Sequence, residues 1–443
     1  METKVGIDPP NPSAGTSPKR TKRMTAGLGG GVALEWFDWN VYGLMAAFLA
    51  PHFFPSENPV TSVLAALAVF GAGFFARPLG AAILGPIADR ISHKKVMMTS
   101  VTAMAATSFI IALMPTHETL GVAAGVILLV LRLLQGLATG AEAGVANAIA
   151  IELAEPHERG KYLGLISGTF IQIGIFGASL FAFLVSASVP AGTMGEWAWR
   201  IPFAFGGVLG LLVIYLRSAL PETLIESAMH KKEDELDVIQ ETTGGVWKAL
   251  WKVRLALLAV ILVIGSVQIA NYAWITGLPS MANGVYEENS TWVFGITTAM
   301  GVIWIVSGPL IGALADRVRP SRAFTIFRAL LIPGFFTMLL YREQSLAMFA
   351  LVMVLGGIIV GFNMSLYNYI AVTLMPKSVR TTGVSIGYAL GVSIFGGTSS
   401  YLLVWLREAD LTWVFPIYGS IVAVLSIVVY WIAKKQGHVH VGD

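Results

Sequence analysis

Residues 82–95 read AILGPIADRISHKK. The chain before them is almost unbroken apolar sequence, yet the seven residues from Asp89 to Lys95 hold an Asp, an Arg, a His and two Lys. A cluster this dense is too costly to keep in hydrocarbon, so the stretch predicts a turn between two membrane-spanning helices. Its excess of basic residues places the turn on the cytoplasmic side. The pattern also returns: Gly85-Pro86-Ile87-Ala88-Asp89-Arg90 is echoed by Gly312-Ala313-Leu314-Ala315-Asp316-Arg317. Strings that match at equivalent places in the hydropathy of each half predict a duplicated membrane bundle.

Composition agrees with that reading. The 443 residues are 55% hydrophobic and 12% charged, with mean hydropathy +0.71, which excludes a soluble core and predicts a polytopic helical membrane protein. The apolar runs are continuous, unlike the alternating strands of about ten residues in a barrel. No cysteine is present, so disulfides and thiolate chemistry are excluded. Histidines 52, 93, 117, 157, 230, 438 and 440 fall in expected loops, span ends or tails, so no metal site, haem or other cofactor is expected in the bundle. Gly29-Gly30-Gly31 follows no strand and predicts a closely packed helix start rather than a phosphate loop. No nucleic-acid partner is expected, and the chain is expected to act as a monomer.

Twelve apolar spans are predicted, near 28–52, 60–86, 96–115, 121–151, 162–187, 201–219, 251–279, 292–314, 323–341, 346–371, 382–405 and 412–433. Basic residues gather on alternate loops, for example Lys19 to Arg23, Lys94 with Lys95, Arg159 with Lys161, and Lys377 with Arg380. The positive-inside rule then puts both termini in the cytoplasm. The expected organisation is a disordered cytoplasmic tail over 1–23, a six-helix bundle over 24–219 and a charged cytoplasmic linker over 220–250. A second six-helix bundle over 251–433 and a tail over 434–443 complete it. Two parallel six-helix pseudo-repeats are the plan of the major facilitator fold, all-α and polytopic, with the cargo site between the halves near the bilayer midplane.

Five strings occur in order along this plan. They are Leu34-Glu35-Trp36-Phe37-Asp38 with Val41-Tyr42-Gly43, Gly73-Phe74-Phe75-Ala76-Arg77-Pro78-Leu79-Gly80, Arg132-Leu133-Leu134-Gln135-Gly136, Trp199-Arg200-Ile201-Pro202-Phe203 and Ile394-Phe395-Gly396-Gly397. Together they resemble, almost end to end, the metabolite:proton symporter family of the major facilitator superfamily. The resemblance implies a transporter of a bacterial cytoplasmic membrane and no enzyme. It implies proton-coupled import, by alternating access, of a small organic acid anion such as alpha-ketoglutarate. The alternatives are a zwitterionic osmolyte such as proline or betaine, or an exporter. It also implies a cytoplasmic latch at Gly85, Asp89, Arg90, Lys94 and Lys95, with a second copy at Asp316 and Arg317 and a matching basic residue, Arg380. Ser92 and His93 depart from the family's usual Gly and Arg, and Val372-Thr373-Leu374-Met375-Pro376 lacks the Glu often found before that proline.

Ionisable residues inside spans are the candidate functional groups, because charge there is expensive. Glu35, Asp38 and Tyr42 recur at spacings of three and four, and so share one face of span one. Arg132, Gln135, Thr139 and Glu142 form a comparable stripe on span four, and Arg77 precedes Pro78 in span two. Arg77 and Arg132 are expected to be the only basic residues deep within spans. One reading gives them a cargo carboxylate, with Glu35, Asp38 or Glu142 taking the proton. The other pairs Arg132 with Glu142, or Arg77 with a span-one carboxylate, purely to hold helices together. Gln268, Asn271 and Tyr272 in span seven and Asn363, Tyr367 and Asn368 in span ten are expected either to complete the cargo site or to bond between helices.

Overall fold

Twelve long helices form among the described residues, because a chain this apolar must pair its backbone polar groups within each spanning segment. The computed structural model describes residues 18–91, 93–140, 169–190, 192–218, 246–315, 319–376, 379–437 and 439. In chain order the helices are α1 (Pro18–Phe53), α2 (Pro59–Ile91), α3 (His93–Leu113), α4 (Val122–Gly140), α5 (Phe170–Ser188) and α6 (Arg200–Ser218). The second half holds α7 (Arg254–Gly284), α8 (Ser290–Ala315), α9 (Pro320–Phe336), α10 (Leu346–Leu374), α11 (Arg380–Glu408) and α12 (Val414–Lys435). Ten helical segments are long and apolar enough to cross a bilayer. The other two are α1, whose 36 residues carry Glu35 and Asp38, and α8, which has 26 residues.

Three boundaries differ from the sequence expectation. Helix α1 begins at Pro18, so residues 18–23 are helical rather than tail; proline suits a first helical turn, where its missing N–H has no partner to lose. The charged turn is far tighter than a loop over 82–95 would be, since α2 runs to Ile91 and α3 restarts at His93. Gly85, Asp89 and Arg90 therefore lie in the last turns of the α2 backbone. The linker's end is helical as well, over Val246–Lys252. Expected spans four and five run into residues 141–168, which lie outside the described residues, as do residues 1–17 and 219–245.

Close helix approach is built on glycine. Gly136 and Gly140 of α4 face the backbone carbonyls of Gly73 and Arg77 on α2, and Gly80 faces that of Leu137, so a Cβ at any of the three would strike backbone. Small residues that allow such contact are the usual basis of helix association in lipid. Helices α7 and α11 are each interrupted midway by a π-helical turn, Ala273–Gly277 and Val392–Gly396. Both interruptions adjoin the seam between the halves.

Among the described residues that seam is formed mainly by three helix pairs, α1 with α7, α2 with α11 and α5 with α8. Its described hydrogen bonds concentrate away from the end that carries both chain termini. Ser186 Oγ lies 2.8 Å from Thr291 Oγ1, Asn58 donates to Glu408 at 2.8 Å, and Ser280 donates to the Gly43 carbonyl at 3.2 Å. Deeper in the seam, Ser393 donates to the Phe74 carbonyl at 2.8 Å, and a Cβ on Gly71 would lie 2.6 Å from the Gly397 carbonyl. A side chain at residue 71 must therefore part α2 from α11. Gly71→Leu is expected to cost the far-end-closed arrangement about 1–3 kcal/mol, shifting the population toward its opposite. A cysteine placed at Val63, which packs on Gly284 across the seam, reports the shift through faster maleimide labelling from the far side. The chain has no cysteine of its own to interfere.

Candidate functional site

Helix α1 supplies the centre of the site. From successive positions on this one helix, Glu35 reaches toward α2 while Asp38 reaches toward α3 and α4. The Glu35 carboxylate pairs with the Arg77 guanidinium at 2.9 Å, and their side chains are 8% and 14% exposed. The Asp38 carboxylate pairs with Arg132 at 3.2 Å, and these side chains are 3% and 0% exposed. One ion pair is thus open to solvent at its edge, and the other is sealed inside the first half.

The sealed pair is closely supported. Ser108 of α3 donates to Asp38, and Arg132 donates to the Gln135 side-chain oxygen at 2.6 Å. Gln135 in turn donates to Ser108 at 3.4 Å, closing a ring of four side chains from three helices. The Tyr42 hydroxyl donates to the Ala66 carbonyl at 3.2 Å, which holds its ring 4.3 Å from the Arg132 guanidinium. Even so, Nε and Nη2 of Arg132 are buried without a hydrogen-bond partner. A buried ion pair repays its desolvation only with good geometry and satisfied donors. This one is incompletely satisfied, and such pairs respond strongly when the charge of either partner changes.

Trp39 links the two pairs. Its indole centre lies 4.3 Å from the Arg77 guanidinium and 4.4 Å from that of Arg132. Gly73 makes room for the ring, since a Cβ there would sit 2.7 Å from the indole edge. Phe74 packs on the same indole, with ring centres 4.3 Å apart, and extends the aromatic surface toward Tyr272 of the second half at 5.0 Å.

Across the seam the second half offers phenols and amides. Tyr272 of α7 is buried with no partner for its hydroxyl, and it lies within electrostatic reach of Arg77, Glu35 and Tyr367. Tyr367 of α10 hydrogen-bonds Asn368 and Tyr388, and Tyr388 of α11 is itself close to Tyr272, Arg77 and Glu35. Asn271 donates to the Gln268 side chain at 3.0 Å, leaving one amide atom of each residue buried and unpaired.

The structure thus brings together Glu35, Asp38, Tyr42, Arg77, Arg132 and Gln135 in the first half. It faces the open ion pair with Tyr272 and Tyr388, and Tyr367 lies one step further away beside both. Asn363 is committed elsewhere: its amide donates to the Phe327 carbonyl at 2.8 Å and the Ile359 carbonyl at 3.1 Å, tying α10 to α9. Lys94 donates to the Ser218 carbonyl at 3.3 Å and Arg380 to the Met375 carbonyl at 3.2 Å, so among the described residues each bonds within its own half. Glu142, Asp316 and Arg317 lie outside the described residues.

Four contributors escaped the sequence reading. Ser108 and Trp39 carry no charge to mark them, and Tyr388 becomes informative only once α11 is placed against α2. The fourth corrects an expectation, since Arg77 and Arg132 are not the only basic residues deep in spans. Arg328 of α9 is 1% exposed and donates to the Val263 carbonyl at 3.0 Å and to Ser266. Its signal was present in the sequence as an arginine inside a span, but apolar neighbours kept the mean hydropathy of that window high.

Comparison with known proteins places this geometry. The family model described as Major Facilitator Superfamily matches residues 28–396. An alpha-ketoglutarate permease of Escherichia coli (strain K12) is 32% identical over 95% of this chain and 96% of its own length. A citrate-proton symporter of Klebsiella pneumoniae is 29% identical, with 85% and 83% covered. An ectoine/proline transporter of Corynebacterium glutamicum is 27% identical, with 88% and 79% covered. Among solved structures, the inward open conformation of the xylose transporter from E. coli superposes with a TM-score of 0.71 at 15% identity, covering 93% of this chain and 95% of that one.

Proposed function

The chain belongs to the Major Facilitator Superfamily, and on that premise we propose that it imports a small organic acid anion together with protons by alternating access. The observation that carries the proposal is the pair of carboxylate–guanidinium contacts that share the Trp39 ring, one edge-exposed and one sealed. A cargo carboxylate competes with Glu35 for the planar two-donor fork of Arg77, which suits a carboxylate better than a point charge would. Phe74 and Tyr272 contact the cargo's carbon skeleton, and the free Tyr272 hydroxyl supplies a donor. Asp38 takes the proton, and Arg132 holds its carboxylate when the proton leaves. Arg132, wholly buried on Asp38, therefore belongs to the proton side, and cargo binding falls to Arg77.

The distribution of basic loops supports a cytoplasmic position for the end where α1 begins and α12 ends. The far-end contacts between the halves then close the outside, leaving the cargo path toward the cytoplasm. The latch for the opposite state falls to Gly85, Asp89 and Arg90 in the last turns of the α2 backbone, to Lys94 at the start of α3 and to Arg380 at the start of α11, with Asp316 and Arg317 as its second copy by the sequence repeat.

A second reading has its own observation. The open pair offers a cation and an acid side by side, with aromatic faces at Trp39 and Phe74. A zwitterion such as proline or betaine needs that combination, and a 27% identical relative is named for ectoine and proline. A thermal-shift screen of the purified protein separates the two. A true ligand at about one hundred times its dissociation constant stabilises by about 2.7 kcal/mol. Stabilisation by alpha-ketoglutarate or citrate and none by proline, ectoine or betaine is the expected result, and the reverse pattern replaces the anion with the zwitterion.

A further inference from the structure

The Trp39 indole is shared by two like charges. Arg77 and Arg132 lie 4.3 and 4.4 Å from its centre, and are close enough to repel one another. Arg77 borders solvent and Arg132 does not. Trp39 is 1% exposed, and its own Nε1 is buried without a partner. A large aromatic ring that contacts two guanidiniums attracts both, and its burial excludes water from the contact. At low local dielectric, a change of charge at one is then felt strongly at the other.

We propose that Trp39 is the positioning residue that couples the cargo site to the proton site. This rests on the reading of the protein as a proton-coupled anion transporter. When a cargo carboxylate reaches Arg77, it neutralises the guanidinium and adds negative charge beside the indole. The cationic field that held Asp38 ionised weakens, and a proton on Asp38 restores the balance. Loss of the proton to the other side reverses the order and loosens the cargo. Trp39 does this by holding the two cations at a fixed, water-free separation.

Among the described residues, the groups around Asp38 favour this route. Helix α4 brings Arg132 and α2 brings Arg77, while α3 brings only the neutral Ser108. Helix α5 carries no ionisable side chain between Phe170 and Ser188. The two arginines of α6 sit at its ends, Arg200 on the carbonyls of Ala112 and Met114 and Arg217 on that of Gly27, and Tyr215 is exposed. Helix α7 contributes Tyr272, and α1 itself contributes Glu35 and Tyr42.

The test uses the purified full chain with radiolabelled alpha-ketoglutarate, measuring affinity at about pH 6 and pH 8 and exchange across proteoliposomes. Wild type is expected to bind about tenfold more tightly at the lower pH, a coupling of ordinary size. Trp39→Leu should bring the ratio of the two affinities down to about one, with exchange still measurable. Trp39→Phe, which keeps an aromatic face, should restore most of that ratio. If Trp39→Leu melts too low to assay, Trp39→Met takes its place as the non-aromatic variant. A non-aromatic variant that keeps the full pH ratio overturns the proposal, as does a Phe variant that loses it equally. A wild type with no pH dependence instead removes the proton-coupled reading, and the inference with it.

Discussion

Asp38→Asn protein, reconstituted into sealed vesicles, is expected to exchange internal for external alpha-ketoglutarate but to accumulate none of it when the outside is made acid. One pH unit supplies about 1.4 kcal/mol per proton, enough for about a tenfold accumulation by wild type, and the variant should fall to a ratio of about one. The asparagine keeps an oxygen for Ser108 and Arg132, the two groups that now bond the carboxylate, but it cannot carry a proton. It also leaves the Arg132 charge uncompensated at 0% exposure, a situation that costs about 3–5 kcal/mol elsewhere. A lower melting temperature should therefore accompany the loss, with surviving exchange showing that the fold persists. Glu35→Gln is the control. Its carboxylate partners the exposed arginine, so it should weaken cargo discrimination more than coupling. Undiminished accumulation in both variants would move the proton site elsewhere, with Glu142 next to be tested.

The second large effect is expected at Arg77. Arg77→Lys keeps the charge but loses the two-donor fork and the flat contact with Trp39 and Phe74. Charge-assisted contacts of this kind cost about 2 kcal/mol or more when truncated, about thirtyfold in affinity. Arg77→Gln should be worse, since it removes the cation altogether. Equilibrium binding of labelled alpha-ketoglutarate at fixed pH measures both. Arg132→Lys is expected to behave differently, changing the pH dependence of transport more than affinity at a pH where Asp38 is protonated. Equal losses of affinity at both arginines would place the cargo against the sealed pair after all.

The membrane architecture was legible because hydropathy, loop charge and the repeated Gly-to-Arg string are local signals that lipid makes nearly obligatory. Helix ends were less so. A polar cluster stops favouring hydrocarbon well before it stops favouring helix, which is why α2 continues to Ile91 and α1 reaches back to Pro18. The acids and arginines of the site were also visible as costly residues in apolar runs, but their pairing was not. Spacing puts Glu35 and Asp38 on one face of α1, yet α1 is surrounded, and neighbouring residues on that face meet different helices. Asp38 and Arg132 are 94 positions apart, and nothing in span four distinguishes such a partner from Glu142. Asn363 shows the opposite failure. Its side chain was grouped with Tyr367 and Asn368 as a cargo-site candidate, yet it donates to two helix carbonyls, and only the position of α9 reveals it.

The central claim is that cargo on Arg77 and a proton on Asp38 are bound together. It is tested most directly by adding alpha-ketoglutarate to concentrated, weakly buffered protein and following a pH-sensitive dye. Wild type should take up protons in proportion to the cargo bound, while Asp38→Asn binds cargo with no proton uptake. Cargo binding to wild type without proton uptake, or equal uptake by Asp38→Asn, would contradict the account.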